Sequence, residues 1–307
     1  MNFTNTLCPY LAKPLSECAQ VNGEHILASA LGTPDSFVLQ CDESENQRLN
    51  VELDVPTLHM EMLQLLAVSC GAVSRSGKDS VTLTGTLRNG DAVKVKLSPD
   101  GAQFNVAVPV ETHPQTGLVS AVKGFGPQAQ QRAAEVINRY RNKGLQVTAS
   151  EPQTLSSVVE ASMTLDLNLL LRFMCRSAYL MTVATLGDPA IASVSGDQYR
   201  RAINTAGMTH GTLLDIGIGA VMAEPSKHPL QFANPYKGGH TLACVAMTEM
   251  MVSHVVLFDV FYATFITQNP CPDDPQSRIF YIDPATKACI SSEVAAEMAA
   301  GRFKPFA

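Results

Sequence analysis

Glu24 and His25 stand side by side at the head of an apolar run, Ile26-Leu27-Ala28-Ser29-Ala30-Leu31, that ends on Gly32. A histidine is suited to accept a proton near neutral pH. A neighbouring carboxylate supplies the hard oxygen that Mg²⁺ or Mn²⁺ prefers. Metal-assisted hydrolysis of a phosphodiester needs such parts: a base to deprotonate water, a cation to stabilise the scissile phosphate and leaving oxygen, and a group to orient the base. A lone Glu-His pair is, by itself, more often a surface or locally bonded pair, so its surroundings matter. Cys8-Pro9-Tyr10 lies upstream. Downstream, Cys41 opens the stretch Asp42 to Asp54, in which Asn46, Asn50 and Asp54 follow one another at one-turn helical spacing.

The elements that must hold these residues are legible from periodicity. Residues 1–60 read as short extended pieces followed by a helix that Asp42 or Ser44 caps and Pro56 interrupts. A second helical run covers Leu58 to Ser69. From Ser80 the period changes to two. Val81 and Leu83, then Val93, Val95 and Leu97, then Phe104, Val106 and Val108 alternate with polar residues around turns at Asn89-Gly90 and Pro99-Asp100-Gly101. This predicts a three-stranded antiparallel meander with Lys94 and Lys96 on its open face. Gly124-Phe125-Gly126-Pro127 opens a helix that Gly144 closes. It carries Arg132, Arg139, Arg141 and Lys143 against Glu135, and residues 151–157 read as a linker. Asp166 to Leu186 is a long helix, stopped by Gly187-Asp188-Pro189, with Arg172 and Arg176 four apart on one face. A shorter helix runs from Asp197 to Ala206. Two strands around Thr248-Glu249-Met250 fill 241–267, Arg278 to Ile282 is a last strand, and Ser291 to Gly301 a terminal helix. The expected fold class is α+β, in three regions: 1–60, 61–155 and 156–307.

Composition narrows the function classes. With 46% hydrophobic and 16% charged residues, the chain is built to fold around a core. The apolar stretch Thr241 to Thr267 contains Glu249, His254 and Asp259, so it reads as buried strands and no membrane partner is expected. No secretory signal is read at Met1 to Leu7, and the expected compartment is the cytoplasm, where the eight cysteines stay reduced. Residues 1–60 hold eight acidic and two basic residues, which concentrates the net charge of −6 there. Such a module suits a metal but repels phosphates, so a nucleic acid would be held by basic groups elsewhere or through the metal. His113, His210, His228, His240 and His254 show no metal-ligand spacing and read as structural or surface residues. No Walker-type phosphate loop and no Gly-x-Ser-x-Gly elbow occurs.

The order Cys8, Glu24-His25, Ala30-Leu31-Gly32, Cys41, Asn46 and Leu53-Asp54 resembles the HNH endonuclease family. That resemblance implies an N-terminal ββα-metal module ahead of the meander and the mixed helix and sheet C-terminal region. It implies His25 as general base, Asn46 as the catalytic residue that orients the base or shapes the loop, and Glu24, Asn50 and Asp54 as ligands of Mg²⁺ or Mn²⁺. The substrate would be DNA or RNA. By their charge, Arg172 and Arg176, and with them Arg132, Arg139, Arg141, Arg200 and Arg201, are candidate phosphate contacts, although solvated helix faces are the plainer reading of each. Loose apolar patterns at Arg172 to Gly187, Tyr199 to Ile203 and His240 to Pro284 are similar to the carboxy-terminal parts of larger members. Many members carry two CxxC pairs that bind zinc; here Cys8 stands with Leu11 and Cys41 with Ser44, so no structural zinc is expected. Two other readings compete with the nuclease. One is a catalytically degenerate HNH-fold protein that binds nucleic acid or a partner, and the other an unrelated domain in which the Glu-His pair is incidental.

Overall fold

Strands that carry apolar side chains on both faces must be covered on both, and residues 240–257 have this pattern. In the computed structural model they form β11 (His240–Ala246) and β12 (Met250–Leu257), the centre of a six-stranded antiparallel sheet. The structure describes residues 3–72, 80–87, 90, 92–106, 110–116, 118–122, 126–145, 147, 159–223, 231–271, 273 and 276–304. The sheet order is β15 (Cys289–Ser292), β14 (Arg278–Ile282), β11, β12, β13 (Phe261–Gln268), β9 (Gly219–Ala223). The stretch 241–267 thus holds three strands where two were expected. The missed hairpin turns at Phe258 and Asp259, both at φ +55 without a glycine. A non-glycine left-handed residue needs compensation, and here it is tertiary. The Phe258 N–H donates to His240 Nδ1 at 3.2 Å, and its ring lies 4.5 Å from the imidazole.

One face of the sheet carries α5 (Leu167–Leu186), capped at its start by Asp166, whose side chain accepts from the Asn168 and Leu169 N–H groups. By length and composition alone this helix is apolar enough to cross a membrane, but most of its surface is buried inside the fold. Gly187 ends it at φ +70, and α6 (Asp188–Ala192) starts at once, where the sequence predicted only a stop. α7 (Val194–Asn204) and α8 (His210–Ile216) lead into β9. The other face is covered by α9 (Val294–Ala299) and the short pair β10 (Gln231–Phe232) and β16 (Phe303–Lys304).

The chain divides into two compact units, Met1–Lys78 with Leu165–Ala307, and Asp79–Thr164. The boundaries expected near residues 60 and 155 therefore shift, because the N-terminal segment shares one core with α5 and the sheet. Cys8, Tyr10, Ile26, Leu27, Phe37 and Leu39 are buried in the same cluster as Phe173, Leu180, Leu242 and Phe280. This segment contains β1 (Val21–His25) and β2 (Val38–Asp42), paired antiparallel with His25 opposite Val38. A helical run follows: α1 (Glu43–Leu49), a π-helical segment Asn50–Asp54, and α2 (Val55–Leu58). Asp42 caps α1 by accepting from the Ser44 and Glu45 N–H groups, and also binds the Ser44 hydroxyl. Pro56 does not break the run as expected. The π-helical segment just before it absorbs the lost i to i−4 bond. After His59 and Met60 the chain forms α3 (Glu61–Ser69).

The second unit is the expected meander: β3 (Val81–Leu87), β4 (Ala92–Ser98) and β5 (Gly101–Val106), extended by β8 (Val159–Glu160) beside β3. Val81, Leu83, Val93 and Val95 are buried while Lys94 and Lys96 are exposed, as the alternation requires. Gly85 is needed where the chain passes close: an added Cβ would lie 2.7 Å from the Glu160 carbonyl oxygen. β6 (Val110–Thr112) pairs with β7 (Val119–Val122), and α4 (Gly126–Arg141) follows. Asn89, Val108, Gly124, Phe125, residues 151–157 and His228 lie outside the described residues.

Candidate functional site

Successive residues of a strand point to opposite faces, so Glu24 and His25 separate on β1. Glu24 turns into the core and is 3% exposed, whereas His25 is half-buried on the other side. Glu24 Oε1 accepts from Tyr10 Oη at 2.8 Å and from Arg176 Nη1 at 2.9 Å. The same Nη1 lies 2.8 Å from each carboxylate oxygen of Asp54. Asp54 reaches this position from the end of the π-helical segment, and Arg176 from the middle of α5. One guanidinium, 1% exposed, therefore sits between two buried carboxylates. Its Cζ lies 5.2 Å over the Phe173 ring. Burial pushes the Glu24 carboxyl up to about 6, against the pull of Arg176. Asp54 is raised for the same reason, again opposed by Arg176. Burial works against the Arg176 charge, but Asp54 and Glu24 outweigh it and keep the group protonated.

This donor set does not fit a divalent cation. Mg²⁺ and Mn²⁺ need oxygens at close to 2 Å in an octahedral array. Here the place between the two carboxylates is taken by a guanidinium that cannot be deprotonated. Asn50, the third expected ligand, is exposed on the helical run while Asp54 is buried, so the two do not converge. Among the described residues no group of three His, Cys, Asp or Glu side chains could hold a metal.

Asn46 is brought to β1. Its Nδ2 donates to Asn22 Oδ1 at 2.9 Å and to the Gly23 carbonyl at 3.3 Å, tying α1 to the strand just before Glu24. Cys8 and Cys41 are both buried. Cys8 Sγ accepts from the Asp42 N–H at 3.3 Å, and the Cys41 thiol points to Asn22 Oδ1 at 3.6 Å. Burial, reinforced by the Glu24 charge, holds the Cys41 thiol far above the usual thiol range. The expected partner positions, Leu11 and Ser44, are exposed. Neither arginine of the expected phosphate pair faces solvent. Arg176 is committed as above, and Arg172, 7% exposed, donates through Nε to the Ile203 carbonyl at 2.6 Å.

Tyr10 and Asn22 belong to the same construction without a signal in the sequence, and His240, read there as structural or surface, is structural. Fully buried His240 accepts from Phe258 at Nδ1, so Nε2 carries the proton and donates to the Leu31 carbonyl at 2.9 Å. Burial lowers the His240 imidazole to about 4, opposed by the bond to Leu31, which keeps it neutral. Gly32, at φ +82, follows this anchor, and a Cβ there would run into the Pro284 backbone. The loop after His25 is thus clamped onto the sheet, between His240 of β11 and Pro284 just after β14. No protein-family model matches the chain, and no characterised protein or solved structure matches it significantly.

Proposed function

We propose that this chain is a catalytically degenerate HNH-type protein that binds nucleic acid without hydrolysing it. The observation that carries the loss of catalysis is the Arg176 guanidinium seated between Glu24 and Asp54; nucleic-acid binding is what the family resemblance adds. Where the family resemblance implies a cation held by carboxylates, this chain supplies a cation of its own. A guanidinium neutralises the carboxylates and joins β1, the π-helical segment and α5 into one core. It offers no exchangeable position for a water nucleophile or a phosphate oxygen, which a catalytic ion must have. His25 keeps the place of the base, but on the face of β1 away from Glu24.

A metal-dependent endonuclease with His25 as base is the second reading, supported by the Asn46 bonds to Asn22 and Gly23. Incubating supercoiled plasmid with wild type and with His25→Ala, in Mg²⁺ or Mn²⁺, separates the two. Neither protein is expected to nick the plasmid, while both retard it in a salt-sensitive manner. Metal-dependent nicking by wild type that His25→Ala abolishes would overturn the degenerate reading.

A further inference from the structure

The first unit pairs many of its cations, although exposed Arg201 and Lys237 have no ion pair among the described residues, whereas the second unit gathers four of its eight in and just after one helix. In the first unit Arg48 pairs with Glu45 and Glu52, Arg176 with Glu24 and Asp54, Arg302 with Glu297, and Lys287 with Asp35. In the second, α4 carries Arg132, Arg139 and Arg141, with Lys143 in the turn that follows, against Glu135 alone. Arg132 pairs with Glu135 at 3.0 Å. Arg139, Arg141 and Lys143 are exposed, and among the described residues no carboxylate pairs with them. Residues 79–164 hold eight basic and seven acidic residues out of the chain's 22 and 28, so the rest of the chain, with 14 and 21, carries all the excess acid.

We infer that the exposed side of α4 is a contact surface for the phosphate backbone of duplex nucleic acid. This rests on the nucleic-acid-binding reading above and adds where the backbone is held. α4 is anchored from behind: Val136 is buried, and Tyr140 Oη accepts from the Val119 N–H at 3.0 Å. The cations therefore stand on a fixed support. Arg132 and Arg139, seven residues apart, share one side of the helix. From Arg132 to Arg139 the helix advances roughly 10 Å, and a duplex presents a charge about every 1.7 Å of its axis, so several phosphates fall within reach; Arg141, about half a turn round the helix, stands at the other edge of the exposed side. The only aromatic residue of α4 is Tyr140, whose hydroxyl is engaged. Without a stacking platform the surface suits a backbone and not splayed bases. The acidic first unit would repel the same polyanion, which leaves the second unit to face it.

The test uses the full chain and a labelled random-sequence DNA duplex, titrated by fluorescence anisotropy from about 50 to 200 mM salt. Arg139→Gln/Arg141→Gln/Lys143→Gln removes three charges while keeping good helix formers. Its affinity is expected to fall at least tenfold at low salt, and its log–log salt slope to shrink by roughly 2–3. Arg201→Gln/Lys237→Gln, which neutralises exposed cations of the first unit, is expected to leave both unchanged. Arg139→Lys/Arg141→Lys retains the charge and is expected to bind as wild type does, which guards against misfolding of the triple variant. Wild-type binding with the triple variant unchanged in affinity and slope overturns the surface alone. Tighter binding to a single strand of the same sequence also overturns it. A wild type that fails to bind duplex at low salt overturns both the surface and the reading it rests on.

Discussion

Arg176 works at the scale of single atoms: one nitrogen serves two carboxylates from distant parts of the chain. Removing one partner of a buried ion pair leaves the others charged and unpaired, which costs about 3–5 kcal/mol. Arg176→Met is therefore expected to lower the stability measured by chemical denaturation by about that amount. Adding Glu24→Gln and Asp54→Asn to it is expected to recover most of the loss, because neutral groups need no counter-ion. A triple variant no more stable than the single one would show that the guanidinium acts through packing alone. Glu24, His25 and Arg176 were each visible in the sequence as charged or titratable residues. Which of them would meet was not, since 152 residues separate Glu24 from Arg176.

Among elements, the loop after β1 depends on a residue of β11. His240 holds the Leu31 carbonyl and the turn at Phe258 together, and does so as a neutral ring. Its folded value of about 4 lies below the unfolded value of 6.5. As pH falls from 6.5 toward 4 the unfolded state takes up a proton that the folded state refuses, so this contribution is complete above pH 6.5 and is lost through that window. The loss approaches about 3 kcal/mol. Comparing wild type with His240→Gln by denaturation across this range, the variant is expected to lose less stability on acidification than wild type does. Parallel curves would exclude the assignment. The elements themselves were largely readable where local signals agree. The meander, α5 and β14 lie where alternation, apolar spacing and turn residues put them. The β12–β13 hairpin was missed because its turn is stabilised by His240 and not by glycine or asparagine.

At the scale of the molecule, α5 joins the two ends of the chain. The N-terminal segment and the C-terminal sheet bury their apolar faces against it in one cluster. A fragment of residues 165–307 lacking 1–78 would expose the side of α5 from which Tyr179 donates to the Pro9 carbonyl, and would leave Arg176 without carboxylates. It is expected to lack a cooperative thermal transition by near-ultraviolet circular dichroism. A sharp transition in the fragment would instead restore three separate regions.

By itself the sequence determined the α+β class, most of the longer helices, about half of the strands, and the pair of residues from which chemistry could start. Those follow from periodicity, caps and turns, which act over a few neighbouring residues. Only the tertiary structure decided what Glu24 faces, that Asp54 and Arg176 join it, and that Arg172 turns inward. Such choices depend on which buried charge finds which partner, and burial makes an unpaired charge too costly to keep. A motif can place a carboxylate beside a histidine, but only the packed core settles whether an arginine of its own stands between its carboxylates.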